Sequence, residues 1–475
     1  MLRQKYVGYL GACLVIGGVT FIAGCKAQPK QSEIGAEMQS LKSSKDPKMQ
    51  AAWQKIESGP KDLAAEIAAA RSEGIDINAA PPVIPPDQDA APIYKKWNAL
   101  RKAKIIRMPN YSTGPSLRYA YTPEQISVME HLIDDNPDRF ALLHEATDRP
   151  KFTPSDPVFP IYASMREGTR EIALETFVEA NRGHISQAIQ NQRRAFHIAA
   201  HTAAQGDMSG WMTGVAIEDI ALSGMRQILQ RTGPDINANQ QVAQAMHASL
   251  PALSLKTALT GNLRTRHLFL EQARRNSDSE LDRFIRQDYD PDTKTPLIVL
   301  APEEREFALN LIDASEARYL GEMRTLIAAA DKPVSQRRAV FQQVLQTTPN
   351  DDGPQAHLYQ LQELTAMFGS ASLPWDQSDT LLHANEQVTL AGAAILETKA
   401  RTGQYPATLP EGFVDPFTDK PLIYQREGGN GFVVYSVGAD GKYDGQASSE
   451  ARLMKQAMFR YPAPPPIPLP AWMNK

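Results

Sequence analysis

Along residues 89–400 the apolar positions recur at the spacing of a helix that buries one face. The clearest set is Ile185, Ala188, Ile189, Ala195, Phe196 and Ala199. It lies in a helix predicted over 184–205, which follows another over 164–181. Asn181, Arg182 and Gly183 join the two, and glycine readily takes the left-handed conformation that ends a helix. Gly206 and Asp207 close the second helix. Further helices are predicted over 122–134, 209–232, 238–249, 262–275, 278–286, 302–328, 334–346, 352–368 and 383–400. The segment 122–134 starts on Thr122 as N-cap, with Pro123 at the first helical position, where its missing N–H is not needed.

The pattern changes after residue 400. PLIYQ (421–425) and FVVYSV (432–437) read as short strands, and the EGGNG between them permits a hairpin. RYPAPPPIPLPA (460–471) reads as an extended proline-rich tail. Upstream of residue 89 the chain is polar, with short helices expected near 49–56 and 61–79. PPVIPPDQDAAP (81–92) follows, a stiff stretch because proline fixes φ and disfavours helix before it. The expected organisation is a polar tether and Pro-rich linker over 25–88, an α-helical domain over 89–382, an α+β module over 383–450 and a tail over 451–475. The fold class is mainly α. It is a large irregular helical bundle or helical-hairpin array, followed by a small α+β module of one helix and a short antiparallel sheet. The pair around Gly183 resembles one unit of a helical-hairpin repeat such as the tetratricopeptide. No second copy recurs at that family's period of about 34 residues.

Composition adds bounds rather than a function. The 475 residues are 42% apolar and 22% charged, an ordinary globular balance. A net charge of -4 gives no basic field for nucleic acid. The N-terminus is distinct: Arg3 and Lys5 precede an uncharged run over 6–24. That is the layout of a secretory signal over 1–24, and the run is also long enough to be a retained membrane span. Ile22-Ala23-Gly24-Cys25 resembles the bacterial lipobox. The resemblance implies cleavage before Cys25, its diacylation and N-acylation (palmitate-type chains), and a mature protein held to a membrane of the cell envelope. Two or more acyl chains suffice for stable anchoring. Cys13, the one other cysteine, lies inside the signal. The mature chain would then hold no disulfide, no cysteine nucleophile and no cysteine-based zinc site.

At the C-terminal end, an ordered series stands out. A helix leads into Gly403-Gln404-Tyr405-Pro406, then Leu409, Asp415-Pro416-Phe417, Pro421-Leu422-Ile423-Tyr424 and Phe432-Val433-Val434-Tyr435-Ser436-Val437-Gly438-Ala439-Asp440-Gly441. Over 383–445 this resembles the soluble part of the major pseudopilins of type II secretion. In that family a long helix packs on a small antiparallel sheet, and a Tyr-Pro, an Asp-Pro and a GADG segment occur in this order. In the family the hydrophobic assembly helix adjoins this module directly, whereas here a long helical region intervenes. The resemblance implies a calcium site in the loop. Ser436 and Val437 match the strand end that precedes the loop, and Asp440 matches its aspartate. Asp444 is the one further carboxylate nearby. Read from the residues alone, the loop fits either a calcium site completed by carbonyls and water or an ion-free Gly/Asp turn.

Other candidate chemistry is sparse. His197 and His201 share a helix face in AFHIAAH, and Glu218 could approach from the next helix. Such a set can hold a metal, yet no glutamate lies between the histidines as in the zincins, and interhelical hydrogen bonding explains the pair as well. The paired arginines at 193/194, 264/266, 274/275 and 337/338 fit an anion groove, a solvated helix face or ion pairs. The sequence contains no nucleophile elbow, Walker loop or dinucleotide fingerprint. The expected function is a non-enzymatic envelope lipoprotein, facing the periplasm or the surface. It would act as a scaffold or protein-interaction module next to secretion or surface assembly. Its partners would be the membrane and an envelope protein or peptide, with no nucleic acid. Calcium is the one cofactor expected. The alternative is a metal-dependent hydrolase built on His197, His201 and Glu218.

Overall fold

The computed structural model describes residues 33–79, 83–103, 119–154, 162–250, 253–285, 298–347, 372–439, 457–463 and 465–468. The chain is mainly helical and ends in a small antiparallel sheet region. In order come α1 (Glu33–Ser43), α2 (Pro47–Glu57), α3 (Gly59–Ser72) and α4 (Ala91–Ala103). A two-residue strand, β1 (Tyr119–Ala120), precedes α5 (Pro123–Asp134), α6 (Pro137–Thr147), α7 (Tyr162–Asn181), α8 (Ile185–Ala203) and α9 (Met208–Thr232). Then follow α10 (Ile236–Ser249), α11 (Leu255–Arg274), α12 (Asp278–Ile285), α13 (Pro302–Ala329), α14 (Val334–Thr347) and α15 (Ser372–Thr402). The remaining strands are β2 (Val414–Asp415), β3 (Lys420–Pro421), β4 (Ile423–Glu427), β5 (Gly431–Tyr435), β6 (Met458–Tyr461) and β7 (Ile467–Pro468).

Local signals place the helix ends. Thr122 and Gln125 form a reciprocal capping box at α5, with the Gln125 amide donating to Thr122 Oγ1 at 3.3 Å and the Thr122 amide to Gln125 Oε1 at 2.9 Å. Gly183 has φ +82°, so the chain turns back after α7 without a Cβ penalty. Asp207 caps α9 by accepting from the Gly210 amide at 2.6 Å. The three helices α7, α8 and α9 stack on one another in sequence order. The helix expected over 352–368 lies outside the described residues.

The central sheet has the order β4-β5-β6, antiparallel throughout. Ile423 pairs with Tyr435 across the hairpin, and Phe432 with Tyr461 on the other side. Every residue of β5 is buried. The sheet meets α15 through Phe432 and Val434 of β5 and Phe459 of β6, which join the apolar cluster of Val388, Ala391, Ile395 and Leu396. Gly392 makes that contact close, for a Cβ there would stand 2.6 Å from the Phe459 ring.

Three boundaries differ from the sequence expectation. Residues 33–72 form helices that pack on α13 instead of a free tether. Ile34, Met38, Leu41 and Ile56 are buried there with Leu270, Phe307, Leu311 and Ile312. Trp53 stacks on Phe307 at 5.7 Å. The apolar stripe of α1 is three residues in a polar segment, so composition hides it while the period of i, i+4, i+7 carries it. At the other junction, α15 runs unbroken through residues 382–383, and one apolar cluster spans both sides. The supposed tail also enters the fold. Met458–Tyr461 is the third strand of the sheet, and Ile467–Pro468 pairs in parallel with Tyr119–Ala120 of the helical body. Among the described residues no helix is long and apolar enough to cross a membrane.

Candidate functional site

His197 and His201 sit one turn apart on α8, as their spacing requires. His201 Nε2 lies 3.0 Å from the Arg149 carbonyl oxygen, which can only accept, so Nε2 carries the hydrogen. Nδ1 is then free to accept from the Tyr94 hydroxyl, 3.1 Å away. Burial, aided by the neighbouring His197, pulls the His201 pKa down to about 4, which keeps the ring neutral. Tyr94 is fully buried and its pKa is pushed far up by desolvation. His197 Nδ1 donates to the Thr147 carbonyl at 2.6 Å. The two imidazoles therefore fasten α8 to the C-terminal end of α6 and the turn after it. Both nitrogens of His201 are engaged in this role.

Glu218 points elsewhere. It is on α9 with 0% exposure, and the groups that act on it most strongly are Glu386, Asp219 and Asp379, two of them on α15. The structure thus brings Glu218 to acids, not to the histidine pair. Neither carboxyl oxygen of Glu218 meets a hydrogen-bond donor. Desolvation, reinforced by the Glu386 charge, pushes its pKa up to about 10. Glu386 in turn accepts from His383 Nδ1 at 2.9 Å, and His383 Nε2 stands 3.7 Å from Asp379. Arg337 Nη1 reaches Asp379 at 2.8 Å, and its Nε reaches Asp376 at 2.6 Å. Arg338 approaches Asp376 from the same helix, α14, at 3.4 Å. On the α9 side, Asn385 donates to Asp219 at 3.2 Å and accepts from Arg226 at 2.9 Å.

A continuous line of charge therefore runs between α9, α15 and α14. Burial lowers the His383 pKa, but the hydrogen bond to Glu386 and the charges of Glu386 and Asp379 outweigh it and hold the pKa above the usual value. Burial raises that of Asp379 against the opposing pull of His383 and Arg337. The sequence contained a sign of this line. Asp376, Asp379, His383 and Glu386 recur at helical spacing on one stripe of α15. A helix predicted to begin at 383 cuts that stripe in two, so the sequence pattern offers Glu218 and the Arg337/Arg338 pair but not the α15 residues that they face.

In the C-terminal module, the strand end identified for calcium is tied to a different carboxylate. Ser436 Oγ donates to Asp415 Oδ1 at 2.8 Å, and the Val437 amide donates to Asp415 Oδ2 at 2.9 Å. The Phe417 amide also donates to Asp415 Oδ1, at 2.9 Å. Asp415 is 1% exposed, so three charge-assisted hydrogen bonds compensate its burial. Asp440 and Asp444 lie outside the described residues, as does Cys25. Among the described residues no three His, Cys, Asp or Glu side chains are grouped to hold a metal ion. Of the paired arginines, Arg337 has carboxylate partners on α15, and Arg274 pairs with Asp313 at 2.7 Å and with Glu316.

No protein-family model matches this chain, and neither a curated protein nor a solved structure matches it.

Proposed function

We propose that the protein is a non-enzymatic lipoprotein of the bacterial cell envelope. It is anchored through lipidated Cys25 and acts as a scaffold or protein-interaction module near secretion or surface assembly. The observation that carries this reading is the one large apolar cluster that the helical body shares with the sheet. It extends from Tyr94 and Trp97 through Trp211 and Leu396 to Phe432 and Phe459. A body of this kind presents its helices and its module in one fixed arrangement, as a docking surface requires. The engagement of His197 and His201 in internal hydrogen bonds supports a structural use for the residues that most suggested a metal enzyme. Calcium is proposed as an accessory ion of the loop after β5, with Asp440 and Asp444 as its carboxylates and Ser436 and Val437 at its entrance.

Two measurements test this. Cys25→Ser should abolish palmitate labelling and move the protein from the membrane to the soluble fraction; continued labelling defeats the anchor. Cross-linking in intact envelopes should then join the anchored protein to a defined envelope partner. Hydrolytic activity that chelation removes, with no cross-linked partner, would overturn the scaffold.

A further inference from the structure

The Glu218 carboxyl is the one group of the charged line that has no donor. Its two oxygens are buried without a hydrogen-bond partner, while the neighbouring Glu386 is already an acceptor for His383. Two carboxylates in contact repel unless a proton lies between them. We propose that Glu218 and Glu386 share one proton, and that this proton, together with protonated His383, is a latch that holds α9 and α15 closed beneath the C-terminal sheet.

Charge balance supports the assignment. The line contains Glu218, Asp219, Asp376, Asp379 and Glu386 against Arg226, Arg337, Arg338 and His383. With a proton on Glu218 and another on His383, the remaining carboxylates match the cations one for one. On α7, Glu171 pairs with Arg139 and Glu175 with His144. On α8, Arg193 bonds Gln190, Arg194 faces Asp148, and the two histidines face α6. The titratable residue of α10 is His247, near its C-terminal end. On α11, His267 and Arg274 both pair with Glu316. From the sheet, Arg460 pairs with Glu427, and Asp415 is held by Ser436 and Val437.

The latch lies where it matters for the module. Beyond it, the same two helices cradle β6: Gln230 of α9 donates to the Arg460 carbonyl at 3.0 Å, and Gly392 of α15 admits the Phe459 ring. Both protonated groups have folded-state pKa values above their free values, so each favours the closed state in acid. An opened Glu218 releases its proton at ordinary carboxylate pKa. Opening must therefore become about tenfold easier per pH unit between the free and folded values.

The test is hydrogen exchange of α9 and α15 amides in the full chain in detergent, over about pH 5 to 8 and corrected for the intrinsic rate. Between about pH 5 and 6.5, where His383 is protonated in both the closed and the opened state, the wild type should open up to about tenfold more per pH unit, and Glu218→Gln, a neutral donor at every pH, should lose that slope, while the His383 share above that range remains in both proteins. An equal slope in both proteins, or none in the wild type, overturns the latch. If Glu218→Gln does not fold, infrared spectroscopy of the wild type decides. A protonated carboxylic acid band that persists near neutral pH sustains the shared proton, and its absence removes it.

Discussion

Ser436 Oγ donates to Asp415 Oδ1 at 2.8 Å, joining the end of β5 to the Asp-Pro turn before β3. The same carboxylate holds the Val437 and Phe417 amides. Asp415→Ala removes one acceptor and strands several buried donors. The expected loss is about 3 kcal/mol or more, read as a lower denaturant midpoint. Ser436→Ala removes one bond of the set and should cost about 1–2 kcal/mol. Equal, small effects of the two changes would show that Asp415 does not organise the turn.

The seat of the sheet on α15 rests on the absence of a side chain. At Gly392 a Cβ would stand 2.6 Å from Phe459, itself 1% exposed. Gly392→Val should cost about 1–3 kcal/mol by overpacking, set against the helix propensity it gains. Phe459→Leu in the same chain should recover part of the loss, which thermal unfolding of the single and double variants can measure.

Tyr94→Phe keeps the ring and removes the hydroxyl that His201 Nδ1 accepts from. A buried acceptor is then left alone, at about 1–3 kcal/mol. Chemical denaturation monitored by tryptophan fluorescence would detect it, since Trp97 packs edge-on against Tyr94 at 6.4 Å.

Acid should weaken the body through His201. Its folded pKa is about 4 against a free value of 6.5. Between these values the unfolded chain binds the proton that the native ring refuses, so stability falls as pH drops through this window. The full effect is about 3 kcal/mol. His201→Gln should therefore gain stability relative to the wild type as pH falls from 6.5 towards 4. An unchanged slope would mean that another group carries it. Global unfolding also exposes Glu218, whose raised pKa acts with the opposite sign, so the His201 contribution is read as the difference between the wild-type and His201→Gln profiles.

Ile56→Ala distinguishes a packed N-terminal region from a tether. Ile56 is 3% exposed and lies in the cluster with Phe307 and Leu311. Truncation should cost about 2–4 kcal/mol of global stability. A freely moving segment would show no change in the midpoint.

How much of this was legible before folding depended on the range of the signal. The ends of α5, α7 and α9 were set by Thr122, Gly183 and Asp207, residues that act on the backbone within a turn of themselves. The hairpin of β4 and β5 was likewise local. The sequence by itself therefore determined a mainly helical chain with a short antiparallel sheet near its end. The tertiary structure alone decided that α1 to α3 cover α13, that Met458–Tyr461 completes the sheet, and that Asp415 holds Ser436. It also decided that Glu218 meets Glu386 while His201 meets Tyr94 and Arg149. The physical reason is distance along the chain. Periodicity and capping act between neighbours, but burial turns a carboxyl or an imidazole into a proton site or a structural bond only through residues that the fold brings from far away.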